Sequence, residues 1–336
     1  MPTIKDVAKE AGVSIATVSR VVNNGPKVGD ATRARVLQIM QDIGYRPNAN
    51  ARALVMQKEA SLGVVIPELT DPFYASLASG VDTVARQHNM QLLLSTGLIE
   101  ASTERAAIEL LLQRRCDAMI VHSKFMSDDE LTELAVATPG MVFINRYLPD
   151  IPERCIWLDN IAGGKLAARH LLVNGHTNLA CITSDYSIDD PMLRLQGFKE
   201  ELGEAGVSLR EEAIEYGAPG QLGGELATQA LLAKNIPFTG IFAYNDSMAA
   251  GVIKALHDAG LKVPQDVSVV GFDDVLLSRY VRPQLSTMRY PIERMAINAA
   301  ELALSLVGGH PSELHSTNKY LPTLVKRESS SNASLS

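Results

Sequence analysis

The sequence contains no stretch of 18 consecutive apolar residues, and this absence predicts that no helix crosses a membrane. Its first residues, MPTIKDVAKE, lack the apolar segment of a secretory signal. The three cysteines, Cys116, Cys155 and Cys181, lie far apart without CxxC spacing, so we expect them to be reduced and buried. Together these absences predict a cytoplasmic protein.

Metal-binding and catalytic motifs are also lacking. The seven histidines show neither HxxxH spacing nor a carboxylate at ligand spacing, and no GxSxG motif or cysteine–histidine pairing indicates a nucleophile. Gly163-Gly164-Lys165 is not a phosphate-binding loop, because Asp159 stands where its first glycine belongs and Leu166 where Ser or Thr belongs. The sequence therefore predicts no enzyme, no metal site and no cofactor.

Charge is distributed unevenly along the 336 residues, whose net charge is −7. Residues 1–60 contain nine basic and five acidic residues, which leaves 22 basic and 33 acidic residues for the remainder. A basic N-terminal segment joined to an acidic body suits a DNA-contacting module attached to a domain with another role. Length alone predicts two or three domains.

The basic segment begins with TIKDVAKEAGVSIATVSRVVN (3–23), a pattern typical of two short helices joined by a tight turn. Thr3 and Asp6 form a predicted capping box, Gly12 ends the first helix, and Ser14 caps the second. The apolar positions share one face of each helix: Ile4, Val7, Ala8, Ala11, Val18, Val21 and Val22. The start of the second helix, where a helix-turn-helix meets base edges in the major groove, then presents Ile15, Ala16, Ser19 and Arg20. An ordinary helical hairpin would show the same layout.

A third helix is predicted after Asp30, which could cap it, and it ends at Gly44. Its apolar positions are Val36, Leu37, Ile39, Met40 and Ile43. Beyond Pro47, residues 51–56 form a predicted helix of barely two turns. Because nucleation costs more than so few hydrogen bonds return, we expect this helix to be either disordered or folded only when it docks on a partner.

From residue 61 onward, short continuous apolar runs such as LGVVIP, AMIV, MVFI, LACIT and VSVVGF alternate with helical periodicity. Continuous apolar strands that alternate with helices indicate parallel sheets covered on both faces. Six or more such units over about 260 residues exceed what one sheet usually holds. The fold predicted is a small all-α helix-turn-helix head followed by two doubly wound α/β lobes, with a TIM barrel as the alternative for the body.

Polar and aromatic residues follow the predicted strands at the sheet edge where α/β proteins bind ligands. With Arg194, early in a helix, they are Asp71, Phe73, Asn145, Arg146, Asp159, Asn160, Asn245, Asp246, Asp273, Asp274 and Tyr290. Amides, carboxylates and a guanidinium can bridge neighbouring hydroxyl groups, and aromatic rings can cover the apolar face of a pyranose. The set predicts a sugar site, although Asp and Asn in these positions are often only helix caps.

Taken together, head, linker and lobes resemble the LacI/GalR family of bacterial transcriptional regulators over nearly the whole chain. Residues 3–23 resemble its DNA-binding signature, RPNANARAL its hinge helix, and FAYNDSMAAG and VSVVGFDD its core motifs. The resemblance implies a helix-turn-helix domain over 1–45, a hinge helix and linker over 46–60, a two-lobed sugar-binding and dimerisation domain of periplasmic-binding-protein type over 61–328, and a polar tail over 329–336. It also implies a homodimer that binds one near-palindromic operator in double-stranded DNA.

The resemblance further implies which residues contact DNA. Ile15, Ala16 and Arg20 match base-reading positions, and Leu54 matches the hinge residue that wedges into the minor groove. The remaining DNA-contacting positions are Thr3, Ser14, Thr17, Asn23, Tyr45 and Asn50. Because Ile15 and Ala16 can contact only thymine methyls and read shape, we expect Arg20 to read guanine.

Within the family, RCDAMIVHSKFMSDDEL and TMRYPIERMA are most similar to galactose-responsive members. The family's ligand-bridging positions fall on Arg194, Asn245 and Asp273, and its other pocket positions on Asp71, Phe73, Asn145, Asp159 and Tyr290. No leucine heptads follow Arg327, so we expect no assembly above a dimer.

The function expected is a repressor of galactose or galactoside utilisation genes, associated with the nucleoid when bound and released from its operator by the sugar. One alternative is a regulator of another sugar. A second is a corepressor-dependent regulator, which binds DNA more tightly with its ligand as purine-responsive members do. A third, from a different class, is a sugar-binding protein or a sugar-modifying enzyme.

Overall fold

The computed structural model describes residues 2–22, 25–45, 61–116, 118–309 and 318–333. The chain divides into two compact units, residues 1–59 and 60–336. Asn23, the whole predicted hinge (46–60) with Asn50 and Leu54, and residues 334–336 lie outside the described residues. The domain boundaries given above stay predictions.

The head consists of helices α1 (Ile4–Glu10), α2 (Ile15–Val22) and α3 (Asp30–Asp42). The predicted capping box is present, since the Thr3 backbone N–H donates to the Asp6 carboxylate at 2.7 Å. Gly12 turns the chain between α1 and α2 with a φ of +62°, a conformation that glycine adopts without strain. The fully buried centre of the head is formed by Val7, Val18 and Val36, one from each helix.

Two details of the third helix differ from the prediction. Gly29 is the N-cap, and Asp30 is already the first helical residue. Leu37 is 49% exposed, because Val36 and Met40, four residues apart, define the inward face and Leu37 lies about 100° around the helix from Val36.

The body is built from strands β1 (Ser61–Ile66), β2 (Gln91–Thr96), β3 (Ala118–Val121), β4 (Gly140–Ile144), β5 (Cys155–Leu158), β6 (Leu179–Ser184), β7 (Ile214–Gly217), β8 (Gly240–Ala243), β9 (Ser268–Asp273), β10 (Ser286–Arg289), β11 (Lys319–Tyr320) and β12 (Thr323–Val325). Its helices are α4 (Pro72–Gln87), α5 (Ala101–Gln113), α6 (Asp128–Ala137), α7 (Asn160–Val173), α8 (Asp189–Glu204), α9 (Gln221–Ala233), α10 (Asp246–Asp258), α11 (Leu277–Tyr280) and α12 (Ile292–Gly308).

These strands form two sheets, each the centre of one lobe. The first sheet has the order β11-β5-β4-β3-β1-β2 and is parallel throughout, and the second has the order β12-β10-β9-β8-β6-β7. Only β12 in the second sheet runs antiparallel to its neighbour, β10, among the residues described. Two open sheets exclude the TIM barrel and confirm the prediction of two doubly wound lobes.

The chain passes between the lobes three times, after β5, after β10 and after β11. Helices α4, α5, α6 and α12 pack on the first lobe, and α7 to α11 pack on the second. Every residue of β3 and β4 is buried, as expected for parallel strands covered on both faces. The carboxyl ends of the strands in both lobes meet at the cleft between them.

The sequence pattern did not reveal β7, β11, β12, α11 or α12. Strand β7 lies at a sheet edge and has only one buried residue, Ile214, so its sequence IEYG carries no continuous apolar run. Strands β11 and β12 have two and three residues, which is too short for a periodic signal.

Two serines of the polar tail that the resemblance implies pack against the second lobe. Ser329 and Ser330 are buried, and the Val269 N–H donates to the Ser329 carbonyl at 2.7 Å. The Ser330 hydroxyl lies 2.8 Å from His170 Nε2. Among the helices described, none is long and apolar enough to cross a membrane.

Candidate functional site

The head presents a small outward face at the start of α2. The Ser14 hydroxyl caps this helix by accepting the Thr17 N–H at 3.1 Å. Ile15 is 45% exposed, and Ala16 and Arg20 are exposed beside it, while Val18 and Val21 point into the core. The three predicted base-reading residues therefore share one exposed face.

The other predicted DNA-contacting residues differ in exposure. Thr3 is exposed and bonded to Asp6, and Thr17 is half-buried with its hydroxyl 2.9 Å from that of Ser14. Tyr45 is half-buried and packs against the core of the head, so its ring also has a structural role. Asn23, Asn50 and Leu54 lie outside the described residues.

A cavity with walls from both lobes lies in the cleft, and this main cavity holds most of the predicted effector residues. Its volume, counted to the open mouth, is about 770 Å³. Of the eight predicted effector residues, six line it: Asp71, Phe73, Asn145, Arg194, Asn245 and Asp273.

Asp71 and Asn245 line the cavity and also cap helices. The Asp71 carboxylate accepts the Phe73 N–H at 2.8 Å, and the Asn245 Oδ1 accepts the Met248 N–H at 2.8 Å. Asn245 Nδ2 donates to the Pro219 carbonyl at 2.9 Å, which holds the amide in one orientation. Burial raises the pKa of Asp71, although the Phe73 N–H opposes this shift. Both interpretations of these residues, cap and cavity wall, therefore hold.

Arg194 is buried and fixed from several sides. Its Nε donates to Asn160 Oδ1 at 2.9 Å, and its Nη1 donates to the Tyr244 carbonyl at 2.7 Å. The guanidinium carbon lies 3.7 Å from the centre of the Phe272 ring, and Nη1 is 3.7 Å from the Asp273 carboxylate. A planar donor held this rigidly can bind two neighbouring oxygens at little cost in side-chain entropy.

Asp273 faces Arg194 across the cavity wall. Burial raises the pKa of Asp273 well above its usual range, and the Arg194 guanidinium offsets the shift only in part. Its backbone has a φ of +114°, which directs the end of β9 into the cleft. A carboxyl group beside a fixed guanidinium places hydrogen-bond acceptors next to donors on the same cavity wall.

Asn145, directly after β4, has a φ of +57° and forms the floor of the cavity. Its Nδ2 donates to Asp190 at 3.2 Å and lies 3.3 Å from His122 Nε2. The Tyr290 hydroxyl donates to its Oδ1. Tyr290 is buried and does not line the cavity, so it supports Asn145 from behind.

Asp159 is not part of the main cavity either. Its carboxylate caps α7 by accepting the Ala162 N–H at 2.8 Å and pairs with Lys319 at 2.6 Å. It lines a second cavity together with Trp157, which is half-buried against Tyr147.

Sequence reasoning missed several residues of the cavity, among them His122, Lys124, Asp190 and Tyr244. His122 directly follows β3, and Tyr244 directly follows β8, so applying the strand-end rule to every strand would have found both. Burial lowers the pKa of His122 to about 3, and Lys124 adds to the shift, so the ring is neutral. Asp190 lies six residues beyond β6, at the start of α8, and no local signal marks it.

The composition of this cavity suits a polyol ligand. Carboxyl, amide and guanidinium groups offer paired hydrogen bonds, and the rings of Phe73, Tyr74 and Tyr244 supply apolar walls. Within the described parts of the chain, no group of three His, Cys, Asp or Glu side chains could hold a metal ion.

Comparison with known proteins gives matches over both units. The family model "Bacterial regulatory proteins, lacI family" matches residues 3–48, and "Periplasmic binding protein-like domain" matches residues 168–330. The HTH-type transcriptional regulator GalR of Escherichia coli is 47% identical over 335 residues, which cover 100% of this chain and 97% of that protein. GalS of Salmonella typhimurium is 46% identical over 329 residues, with 98% and 96% covered.

Among solved structures, the lac repressor dimer bound to operator and the anti-inducer ONPF is similar, with a TM-score of 0.84. Its sequence is 26% identical, and the match covers 98% of this chain and 99% of that one. GalR, GalS and the lac repressor are transcriptional regulators and not enzymes.

Proposed function

The chain belongs to the lacI family of bacterial regulatory proteins, and we propose that it represses its target genes by binding operator DNA and releases it when galactose or a galactoside enters the cleft. The similarity to GalR and GalS over the full length supports a sugar effector of this kind, and the polar composition of the cavity agrees with it. Such a regulator acts in the cytoplasm, on the nucleoid.

The exposed face of α2 is the observation that supports the proposed binding to operator DNA. Ile15 and Ala16 offer only apolar contacts, which suit thymine methyl groups, and Arg20 offers a planar donor pair that suits the O6 and N7 of guanine. One such face makes few specific contacts, so we propose that two heads bind the two halves of a near-palindromic operator. Leu54 of each chain would wedge into the minor groove between them.

The body offers a surface for the homodimer that this arrangement requires. On the first lobe, Leu94 of edge strand β2 and the following Leu98 and Ile99 are exposed. On the second lobe the exposed apolar residues are Leu222 and Leu226 of α9 and Leu276 and Tyr280 at α11. Exposed apolar residues that recur on neighbouring elements typify a protein–protein interface.

For the effector, Arg194 and Asp273 of the second lobe and Asn145 of the first approach the cavity from opposite sides. A sugar bound to all three would favour a closed arrangement of the lobes. In our proposal closure moves the dimer contacts of the first lobe and separates the hinge segments, and coupling of roughly 1–3 kcal/mol is enough to change operator affinity about 5- to 150-fold.

The test begins with an operator fragment that the purified full-length protein selects from a pool of random DNA. Galactose should release this fragment in a fluorescence-anisotropy titration, and glucose, which differs only at C4, is the matched control ligand. Tighter binding with a ligand, for instance a purine base, would favour the corepressor alternative. Consumption of a galactoside by the protein would favour the enzyme.

A hinge variant tests the link between the two sites. Leu54→Ala should weaken operator binding while galactose affinity, measured by titration calorimetry, stays unchanged. An equal loss of both affinities would contradict the role proposed for the hinge.

A further inference from the structure

Two oppositely charged side chains meet between the lobes at the floor of the cleft. Lys124 follows β3 of the first lobe, and Asp190 lies in the first turn of α8 of the second, with Lys124 Nζ 2.9 Å from the Asp190 carboxylate. Their side chains are only 8% and 7% exposed. A charge pair this deep in the protein is costly to form unless both partners are well placed.

Both partners are held in place by further hydrogen bonds. Asp190 also accepts Asn145 Nδ2 from the first lobe at 3.2 Å and Asn160 Nδ2 from the second lobe at 3.1 Å. Lys124 Nζ donates to the Asn145 carbonyl, and the Lys124 backbone N–H donates to the buried Glu104 carboxylate at 3.0 Å. Separation of the lobes would break the bonds that Asp190 receives from the first lobe.

Burial lowers the pKa of Lys124, although the Asp190 carboxylate opposes this shift. Burial by itself would raise the pKa of Asp190, but Lys124 and Arg194 outweigh it and hold this pKa below its ordinary value, so the carboxylate is ionised. If Lys124 lost its charge, Asp190 would keep only amide donors in direct contact and the more distant Arg194.

The pair also forms a partition between two cavities. Lys124, Asn145 and Asp190 line both the main cavity and the second cavity that contains Asp159. Opening the lobes would join these two spaces and admit water to both charges. Because one partner belongs to each lobe, the pair can form only when the lobes close.

We propose that Lys124 and Asp190 form a latch that draws the two lobes together before the effector arrives, and thereby raises the affinity for the effector. The apparent dissociation constant equals the intrinsic constant divided by the fraction of the protein that is binding-competent, so a protein that already populates this arrangement binds its ligand more tightly. The inference rests on the proposed function only in taking galactose as the effector with which affinity is measured.

The two charges make a distinctive prediction for single and double variants. Removal of one partner leaves the other buried and uncompensated in the closed arrangement, whereas removal of both leaves neutral groups that can pack together. Lys124→Met and Asp190→Asn should therefore each oppose closure, and the double variant should close more readily than Lys124→Met.

The first measurement is galactose affinity of the full-length protein by titration calorimetry. Each single variant should bind at least about tenfold more weakly, since close charge pairs in double-mutant cycles are coupled by about that much or more. The double variant should bind more tightly than Lys124→Met. The matched control is Lys165→Met, because Lys165 pairs with Glu200 and Glu204 within the second lobe, and it should bind as wild type. A double variant weaker than both singles would show that the two residues merely contact the sugar, and unchanged singles would exclude the latch.

The second measurement detects closure without any sugar. Val136 on α6 and Val173 on α7 are exposed and belong to different lobes, and the three native cysteines are buried, so spin labels can be placed at Val136→Cys and Val173→Cys. Doubly labelled chain is mixed with excess unlabelled chain, so that distances within one chain dominate. In this labelled background, Lys124→Met should shift the distribution of label distances away from that of the wild type. Addition of Asp190→Asn to Lys124→Met should return the distribution toward that of the wild type.

These outcomes separate the latch from the proposed function. If galactose does not bind the wild-type protein, galactose is not the effector, and the spin-label distances still test the latch. Identical distances in wild type and Lys124→Met would overturn the latch even if galactose binds well. If Lys124→Met fails to fold, Asp190→Asn and the double variant supply the same comparison.

Discussion

The head and the body of this protein differ in the size of their apolar cores, and therefore in the stability that packing gives to each. In the described part of the head the buried apolar residues are few and mostly small, with three valines, Val7, Val18 and Val36, at the centre. In the body, one large cluster of buried apolar residues extends through both lobes and a second covers the other face of the first sheet, and Phe143, Phe198, Phe242 and Phe272 are among the fully buried side chains. A domain as small as the head buries a smaller fraction of its surface and is only marginally stable.

This difference implies a division of work. The body can bury charged groups such as Arg194 and Asp190 and hold them in fixed geometry, because its packing supports them. The head can hold only a capped helix with a few exposed contact residues. DNA recognition should therefore be sensitive to small changes in the head, and effector recognition to the loss of single buried groups in the body.

The largest effect is expected for Arg194→Ala. Truncation of a buried, hydrogen-bonded charge costs about 2–5 kcal/mol, which should weaken galactose binding by more than about 30-fold and remove the response of the operator complex. Operator affinity without sugar should stay unchanged in anisotropy titrations. Arg169→Ala serves as the control, because Arg169 pairs with Glu201 on the exposed side of the same lobe. Normal release of DNA by Arg194→Ala would show that the cavity is not the effector site.

Arg20→Ala should produce the opposite pattern. Loss of a bidentate contact to guanine costs about 1–3 kcal/mol per head, and sequence discrimination at that base pair should relax. Arg35→Ala removes an equal charge from exposed α3 and should weaken binding equally on all sequences. If both variants behave alike on a panel of single-base operator variants, Arg20 contacts only phosphates.

Val18→Ala tests whether the head is a separate marginal unit. Val18 is fully buried at the centre of the head, and burial of a valine side chain contributes roughly 1.5–3 kcal/mol. Scanning calorimetry should show a lower melting temperature for the transition of the head and an unchanged transition for the body. A shift of both transitions together would mean that the two units unfold as one.

The smallest effect is expected for Ser14→Ala. The Ser14 hydroxyl accepts the Thr17 N–H at the start of α2, and loss of an N-cap costs about 1 kcal/mol. Operator affinity should fall less than for Arg20→Ala, and galactose affinity should not change. Ser14→Asp, which keeps a capping oxygen, should restore the melting temperature of the head.

The sequence allowed the prediction of buried strands and of helix ends, because these features leave a local pattern of apolar and capping residues. Continuous apolar runs such as AMIV and MVFI predicted the buried parallel strands, and Thr3, Asp6, Gly12 and Ser14 predicted the ends of the first two helices. The pattern did not predict short or edge strands such as β7 and β11, because these strands lack a long apolar run.

The cavity was predicted in part for a related reason. Residues immediately after strands could be assigned to the cleft, and Asn145, Arg194, Asn245 and Asp273 do line it. Asp159 and Tyr290 do not line it. The Asp159 side chain is turned toward the helix that it caps, and the Tyr290 side chain packs behind Asn145 of the other lobe. The contact between Lys124 and Asp190 joins residues 66 positions apart, and no local pattern carries such a pairing.

The central claim is that one chain joins a DNA-reading head to a galactose-binding cleft that governs it. The most direct test is a titration of the preformed operator complex with galactose, followed by fluorescence anisotropy at fixed salt. We predict a saturable release of DNA by galactose in wild type, none by glucose, and none by galactose in Arg194→Ala. Unchanged or tighter operator binding at saturating galactose in wild type would contradict the account.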